Sequence, residues 1–577
     1  MTLLGVTQSL TGQHWHGVDG DTSDIANKLI EINGLDPILA KTYARAGARP
    51  ETIDIFTNPK LRDLLPKPTD LLDLDKAAER INQAIINKER IAIFADYDVD
   101  GAASAALLID YFRFYNIEAT TYIPDRVIEG YGPNIPAMEQ LADNHSLIIA
   151  VDCGTLSHAP IDAAVAKGAE VIVLDHHMAG STLPNAITVN PNRQDCDNAL
   201  GHLCAAGVVF LTLVAVNALK RDHGKIPNLM LALDIVALAT VADVAPLVGV
   251  NRAFVRTGLE VIQNTQRVGL KLLVNNLLKY KKIGAEDIGF TLGPRLNAGG
   301  RIGRSLAATQ LLTCQSQDEA ERLFFELESQ NTERRKIEAK ITEEATAQVE
   351  AYPERSQNFI YASSKQWHSG VLGIVASRLK GKFRKPAIAL AEVAGELHGS
   401  ARSVIGVDLG GAVVRLAEEG LIVKGGGHKM AAGLTILPEN LNLAMARLDQ
   451  LLTRQSEGLA SNLLIDSIIT PTSLNIEKFN LLELAGPFGS NVPAPLFLVP
   501  DVSLKSIHII KDVHIKYMFS LGGQSIEVMS FSTVGSSLDL REYRNSVQKF
   551  HVCVRASRNF WNGRESVQYQ LEDIALA

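Results

Sequence analysis

Three aspartates alternate in the stretch ADYDVDG: Asp96, Asp98 and Asp100, with Gly101 behind them. Carboxylates in this pattern chelate cations. A calcium loop of the EF-hand type opens the same way, but it needs a bidentate Glu at its twelfth position. Counted from Asp96, that position holds Leu107. Such a loop also follows a helix, whereas Ile91-Ala92-Ile93-Phe94 reads as a short buried strand. The aspartates therefore fall on a strand-to-helix turn, where open α/β sheets place their ligands.

Other apolar runs end in the same chemistry. LIIAVDCGT ends at Asp152, and VIVLDHHMAG ends at Asp175, His176 and His177. An apolar helix, MLALDIVALATVADVAP, carries Asp243 at its end. A lone Asp after a strand is usually a turn or a helix cap, and a lone His pair is usually surface. Three strand ends in succession that finish acidic are harder to assign to capping. A parallel sheet would bring them to one edge. Carboxylates with imidazole suit manganese and, to a lesser degree, magnesium. Two such ions about 3.5–4 Å apart would relieve the repulsion and could clamp a phosphoryl group.

The elements that must position these residues follow from the pattern. IAIFA, SLIIAV and EVIVL read as strands, and ASAALLIDYFRFY and PIDAAVAKGA as helices between them. This βαβ rhythm predicts an α/β domain with a parallel sheet over 71–315. Residues 1–70 read as a helical lead-in. Residues 316–352 hold one long charged helix, expected to be a solvated connector. A second α/β domain is expected over 353–458. From 459 to 577 the pattern turns to strands, with hairpins at Gly522-Gly523 and Asn562-Gly563.

Bulk properties bound the class. Of 577 residues, 46% are apolar and 21% charged, as in an ordinary globular protein. A net charge of −8 gives no bulk attraction to nucleic acid, although a local basic channel is compatible with it. The five cysteines form no C-x-x-C pair, which argues for a reducing compartment and against zinc clusters. The N-terminus shows no basic-then-apolar signal pattern, and AAGVVFLTLVAV is too short to cross a bilayer. A cytoplasmic protein is expected. No G-x-x-x-x-G-K-[ST] occurs, which argues against an ATP-driven helicase.

DHH after an apolar strand, with DYDVDG upstream and ATVADVAPL downstream, resembles the DHH phosphoesterase family. LGPRLNAGGRIGRS, WHSGVLGIVASRLKGKFRKPAIAL, LHGSARSV and VKGGGHKMAAGL follow in order. They resemble its single-strand-specific 5′→3′ exonuclease branch, from about residue 36 to the C-terminus. The resemblance implies two α/β domains (DHH and DHHA1), joined by a long helix around a central cleft, plus a C-terminal OB-fold barrel. It implies that Asp98, Asp100, Asp152, His176 and Asp243 bind two divalent cations, Mn2+ or Mg2+, with Asp152 bridging. Asp96 would be a further ligand, Asp175 would orient the histidines, and His177 would touch the scissile phosphate. Many relatives carry a histidine where this chain has Phe94. The implied reaction is hydrolysis of a phosphodiester by water, with no covalent nucleophile.

The resemblance also implies a 5′-phosphate pocket at Arg126, Ser400 and Arg402, with Tyr131 stacking on a base. The alternative for Arg126 is an ion pair with Asp125 or Glu129. Arg295, Arg301 and Arg304 stand among glycines that would let a phosphate chain approach, or else make structural salt bridges. Gly426, Gly427 and His428 would hold the nucleotide beside the cut. In the barrel, Tyr517, Phe519, Arg555, Arg558, Phe560, Trp561 and Arg564 are candidates for single-strand binding; Phe519 is expected in the core and Trp561 exposed. The expected activity releases 5′-mononucleotides from single-stranded DNA in recombination and repair. Single-strand-binding protein and a RecQ-type helicase are partners the family implies, and a monomer is expected. The alternatives are a DHH enzyme acting on short oligonucleotides or cyclic dinucleotides, and a non-catalytic single-strand-binding replication factor.

Overall fold

A computed structural model describes residues 2–577 apart from 127–128, 222–223, 279–281, 353–357, 457–460, 545 and 562–563, with only the backbone described at 561. The first α/β domain is built on a five-stranded, wholly parallel sheet. Its strands lie in the order Thr120–Tyr122, Ile91–Ala95, Leu147–Val151, Glu170–Leu174, Ile187–Val189. The middle strands are buried on both faces, which is why they read as continuous apolar runs. Helices Val99–Phe114 and Ala205–Lys220 cover one face with a large apolar cluster, and Met138, Leu141 and Ile161 cover the other.

Helix Leu233–Ala242, which ends at Asp243, packs closely on helix Gly249–Gln263. Gly258 makes the approach possible, because a methyl group there would run into the Leu233 carbonyl and the Ala237 side chain.

The long helix spans Gln317–Ala351 and is capped by Ser316, whose hydroxyl accepts from the Glu319 amide at 3.2 Å. It is not a solvated connector. Leu323, Phe324 and Leu327 enter the core of the first domain, and Ile341 and Ala345 enter that of the second. The apolar positions recur at helical spacing within a charge-dense run. The charge masks them in the sequence.

The second domain holds a five-stranded sheet in the order Lys424–His428, Ala431–Ile436, Glu396–Arg402, Ala387–Val393, Ile360–Ser364. Only the last pair is parallel. The C-terminal unit is a closed five-stranded barrel. Leu496–Ile510, His514–Leu521, Gln524–Ser530, Arg564–Leu576 and Lys549–Trp561 follow one another, and the last pairs back onto the first. Both hairpins expected from the sequence are present, although the Asn562-Gly563 turn lies outside the described residues.

The N-terminal segment holds helices Gly20–Asn33 and Pro37–Arg45, but begins with a strand, His14–Gly17, that pairs with Asn462–Ile465. Its Trp15 is fully buried and donates to Asp573 in the last barrel strand at 2.8 Å. Buried Arg252 joins three units. Its guanidinium donates to the carbonyls of Phe56, Leu484 and Ala485 and lies 3.9 Å over the Phe56 ring.

Gly258→Ala is expected to destabilise the first α/β domain by about 1–3 kcal/mol through overpacking. Because the displaced helix carries Asp243, divalent-cation affinity should fall with it. Thermal unfolding and manganese titration check both.

Candidate active site

The sheet register places the acidic residues. Asp96, Asp152 and Asp175 are each the first residue beyond their strand. Each donates its amide to the last residue of the neighbouring strand: Asp96 to Val151 at 3.3 Å, Asp152 to Leu174 at 3.1 Å and Asp175 to Val189 at 3.1 Å. Adjacent parallel strands lie about 4.8 Å apart, so three consecutive ends set three carboxyl-bearing residues in a row. Asp152 takes left-handed backbone, with φ of +59°.

The remaining residues come from helix ends. Asp98 caps Val99–Phe114 and accepts from the amides of Asp100 and Gly101 at 2.8 and 3.2 Å. Asp100 turns inward, where the amides of Ala205 and Ala206, at the start of helix Ala205–Lys220, donate to its two oxygens at 2.6 and 2.8 Å. Asp243 lies at the C-terminal end of Leu233–Ala242.

Three overlapping groups of potential ligands result: Asp96, Asp98 and Asp152; Asp152, His176 and His177; and Asp100, His176 and Asp243. Within each, the ligand atoms lie within 4.8 Å of one another. Asp152 and His176 each belong to two groups. His176 Nε2 stands 3.3 Å from Asp152, 3.8 Å from Asp100 and 3.9 Å from Asp243. Burial, together with neighbouring carboxylates, pushes the Asp96, Asp152 and Asp243 carboxyls well above their usual range. Asp96 Oδ1 is buried and has no hydrogen-bond donor. An oxygen-rich set with one or two imidazoles and an unsatisfied buried oxygen fits a pair of hard divalent cations.

Asp175 serves the histidines. Its buried carboxylate accepts from the Thr155 amide and hydroxyl, from the amides of His176 and His177, and from His177 Nδ1 at 2.8 Å. Burial works against its charge, but these bonds hold its pKa well below the usual carboxylate range. Burial likewise disfavours the His177 cation, yet Asp175 holds its pKa up at about 9. Asn190 and Asn192 extend the support, donating to the carbonyls of His177 and His176 at 2.8 and 2.5 Å. Neither asparagine, nor Thr155, was singled out from the sequence. The TVNPN turn after the last strand was the available signal. Phe94, where many relatives have a histidine, is fully buried and stacks on Tyr122 at 5.4 Å, so no imidazole enters from that strand.

The residues expected to form the phosphate pocket belong to both lobes. Arg126 lies 4.9 Å over the Tyr97 ring, and its charge acts on Asp96, Arg301 and Arg402. Glu129 instead bonds Tyr122, Asn134 and the Asp125 amide. Arg402 donates to Ser400 Oγ at 3.2 Å. Strand register sets Gly426 opposite Gly433 opposite Ser400, and His428 opposite Ala431 opposite Arg402. Gly426, His428, Ser400 and Arg402 therefore share one face of the sheet. Gly427 alternates to the other face, against Ala431 and Ala432. Tyr131 is half-exposed, and its hydroxyl reaches the Asp152 carbonyl at 3.2 Å and the His177 ring.

Several basic candidates are already engaged. Arg295 pairs with Glu328 and Arg304 with Glu326, both on the long helix. The glycines of this segment pack against protein rather than lying open: a methyl at Gly300 would strike the Tyr97 carbonyl. Arg301 is desolvated, which with Arg126 and Arg334 nearby pushes its pKa down to about 10. In the barrel, Arg558 is taken up by Glu483, Glu565 and Asn480, and Arg555 by Glu572. Tyr517 is core, donating to the Leu538 carbonyl at 2.6 Å, and Phe519 is core as expected. Phe560 and Arg564 are exposed, whereas the Trp561 side chain lies outside the described residues.

A parallel sheet with aspartates at its strand ends, a DHH turn and a second lobe facing it across a cleft defines the DHH class. The profile of the DHH family N-terminal domain matches residues 90–240, the DHHA1 domain 356–454 and the RecJ OB domain 465–573. The single-stranded-DNA-specific exonuclease RecJ of Escherichia coli K12 is 34% identical over 563 residues, covering 94% of this chain and 96% of that protein. The RecJ of Bacillus subtilis 168 is 32% identical, over 96% of this chain and 70% of its own length. The crystal structure of Thermus thermophilus RecJ in complex with Mn2+ superposes with a TM-score of 0.81 at 28% identity, covering 97% of this chain and 79% of that one. The chain belongs to the RecJ family.

Asp175→Asn is expected to leave the fold intact and to lower manganese affinity or turnover by about 10–100-fold, because the histidines lose their anchor. Circular dichroism, calorimetric titration and turnover check this.

Proposed function

We propose that this chain is a cytoplasmic, metal-dependent exonuclease that degrades single-stranded DNA from its 5′ end, releasing 5′-mononucleotides in DNA recombination and repair. The observation that carries the reading is the ligand cluster around Asp152, with Arg126 held over the ring of Tyr97, the residue between Asp96 and Asp98. A terminal phosphate held by the arginines would lie beside the metal centre. The single-stranded-DNA-specific exonucleases it resembles support the substrate class. Among the described residues no helix is long and apolar enough to cross a membrane.

In this reading Asp98, Asp100, Asp152, His176 and Asp243, with Asp96 as an added ligand, would hold two divalent cations, Mn2+ or Mg2+. The bound cations supply positive charge to the phosphoryl oxygens and make water more acidic. His177, fixed through Nδ1 on Asp175, presents Nε2 to the scissile phosphate. Arg126, Ser400 and Arg402 take the 5′-phosphate, and Gly426 and His428 hold the terminal nucleotide from the same sheet face. Water attacks phosphorus in line, the P–O3′ bond breaks, and the 3′ oxygen leaves with the mononucleotide. The shortened strand carries a new 5′-phosphate, which the same arginines can bind again. The catalytic role is assigned to 71–315, the phosphate pocket's second half to 353–458 beyond the helical segment 316–352, and strand binding to the barrel in 459–577, against which 1–70 packs. A single-strand-binding protein and a RecQ-type helicase are proposed partners of a monomer.

The test uses 5′-phosphorylated single-stranded DNA with manganese, blocked at one end or the other. Mononucleotides are expected from the 3′-blocked strand and not the 5′-blocked one, with at least ~10³-fold loss in Asp152→Ala. Strand binding without turnover would favour a replication-factor role. Turnover of only very short oligonucleotides would favour the small-substrate DHH enzymes. A second expectation concerns the pocket. Arg402→Ala should raise KM for 5′-phosphorylated strands about 10-fold or more, with little effect on 5′-hydroxyl strands.

A further inference from the structure

Val244 stands directly after Asp243 at the end of helix Leu233–Ala242, and its backbone is left-handed, with φ of +59°. Its amide bonds the Val241 carbonyl and the Ala245 amide bonds that of Thr240, which closes the helix in the manner that normally takes glycine. A β-branched side chain fits this conformation worst of all. Among the described non-glycine residues with positive φ, Val244 is the only β-branched one. Packing does not explain its presence, because the residue is 69% exposed.

Two further apolar side chains close in sequence to cluster residues are exposed. Met178 follows His177 and is 67% exposed; Leu156 lies four residues beyond Asp152 and is 63% exposed. The loop that carries Val244 continues to Leu247, whose amide donates to the Ser490 carbonyl at 3.0 Å, just ahead of the barrel strand Leu496–Ile510. The chain after Val244 thus leads to the segment ahead of the barrel, whereas Ser400 and Arg402 of the expected pocket belong to the second lobe.

We infer that the Val244 side chain is a seat for the nucleobase on the 3′ side of the scissile phosphate, with Leu156 and Met178 forming the adjoining apolar rim. The inference rests on the exonuclease reading above. A strand with its 5′ end in the Arg126–Arg402 pocket must run past the cations toward the barrel. The first base beyond the cut then meets the isopropyl group. An apolar contact with a base face tolerates any sequence, as a non-specific nuclease requires. Strained backbone at a site mouth is kept where the side chain is used.

The experiment compares wild type with Val244→Asn and Val244→Ala on two 5′-phosphorylated strands, one intact and one abasic at its second position. Wild type is expected to lose about 5-fold or more in kcat/KM on the abasic strand. In both variants the intact strand should fall by a similar factor, and the abasic strand should bring less than a further 2-fold loss. Manganese affinity should be unchanged. Asparagine tolerates left-handed backbone, so the thermal midpoint of that variant should rise by about 1–3 °C. Equal abasic penalties in wild type and variants would overturn the seat, as would variants that match wild type on the intact strand. If wild type released no mononucleotide from either strand, the exonuclease reading and this inference would fall together.

Discussion

Carboxylates forced together out of water are the constraint around which this molecule is arranged. Asp96, Asp100 and Asp152 are buried, with Asp98 and Asp243 beside them. Without cations their mutual repulsion and desolvation would favour protonation. The protein offsets part of this with fixed dipoles: two backbone amides on Asp98, and two more at a helix start on Asp100. Asp96 has an oxygen left without any donor. The remainder of the field is left to be neutralised by bound metal. Folding thus sets up a site whose geometry is nearly complete, but whose charge is not.

That geometry comes from ordinary rules of α/β architecture. Successive strands end in register, so acidic residues at their ends fall in a row. Asp175, the last of the row, faces the histidines rather than the cations. The sheet edge thereby supplies Asp96 and Asp152 of the cluster together with the carboxylate that anchors His177, while helix ends supply Asp98, Asp100 and Asp243.

Much of this was legible in the sequence, because period and position are local properties. Strands Ile91–Ala95, Leu147–Val151 and Glu170–Leu174 and both barrel hairpins follow from apolar patterning and turn residues, and the long helix from a charge-dense run without Gly or Pro. The acidic strand ends pointed to one edge, and they lie there. What escaped was the identity of each partner across the fold. Arg295 and Arg304, expected either to contact phosphate or to make structural salt bridges, pair with Glu328 and Glu326 of the helix expected to be a solvated connector. Arg558 meets Glu483 from a segment 75 residues away. A guanidinium has the same local sequence signature whether it meets a phosphate or a carboxylate. Tyr131 shows the same limit: its ring suggested stacking, while its hydroxyl reaches the Asp152 carbonyl. The left-handed Val244 also escaped, since nothing in ADVAP signals a glycine position occupied by valine.

Arg252 ties together parts of the chain that are far apart in sequence. It grips carbonyls on either side of the catalytic domain, at Phe56 and at Leu484 and Ala485, from within the helix that buttresses Asp243. Three carbonyls converge on one buried guanidinium, and losing any of them would leave a buried cation short of a partner. Detaching the segment ahead of the barrel from this helix is therefore costly in charge as well as in packing.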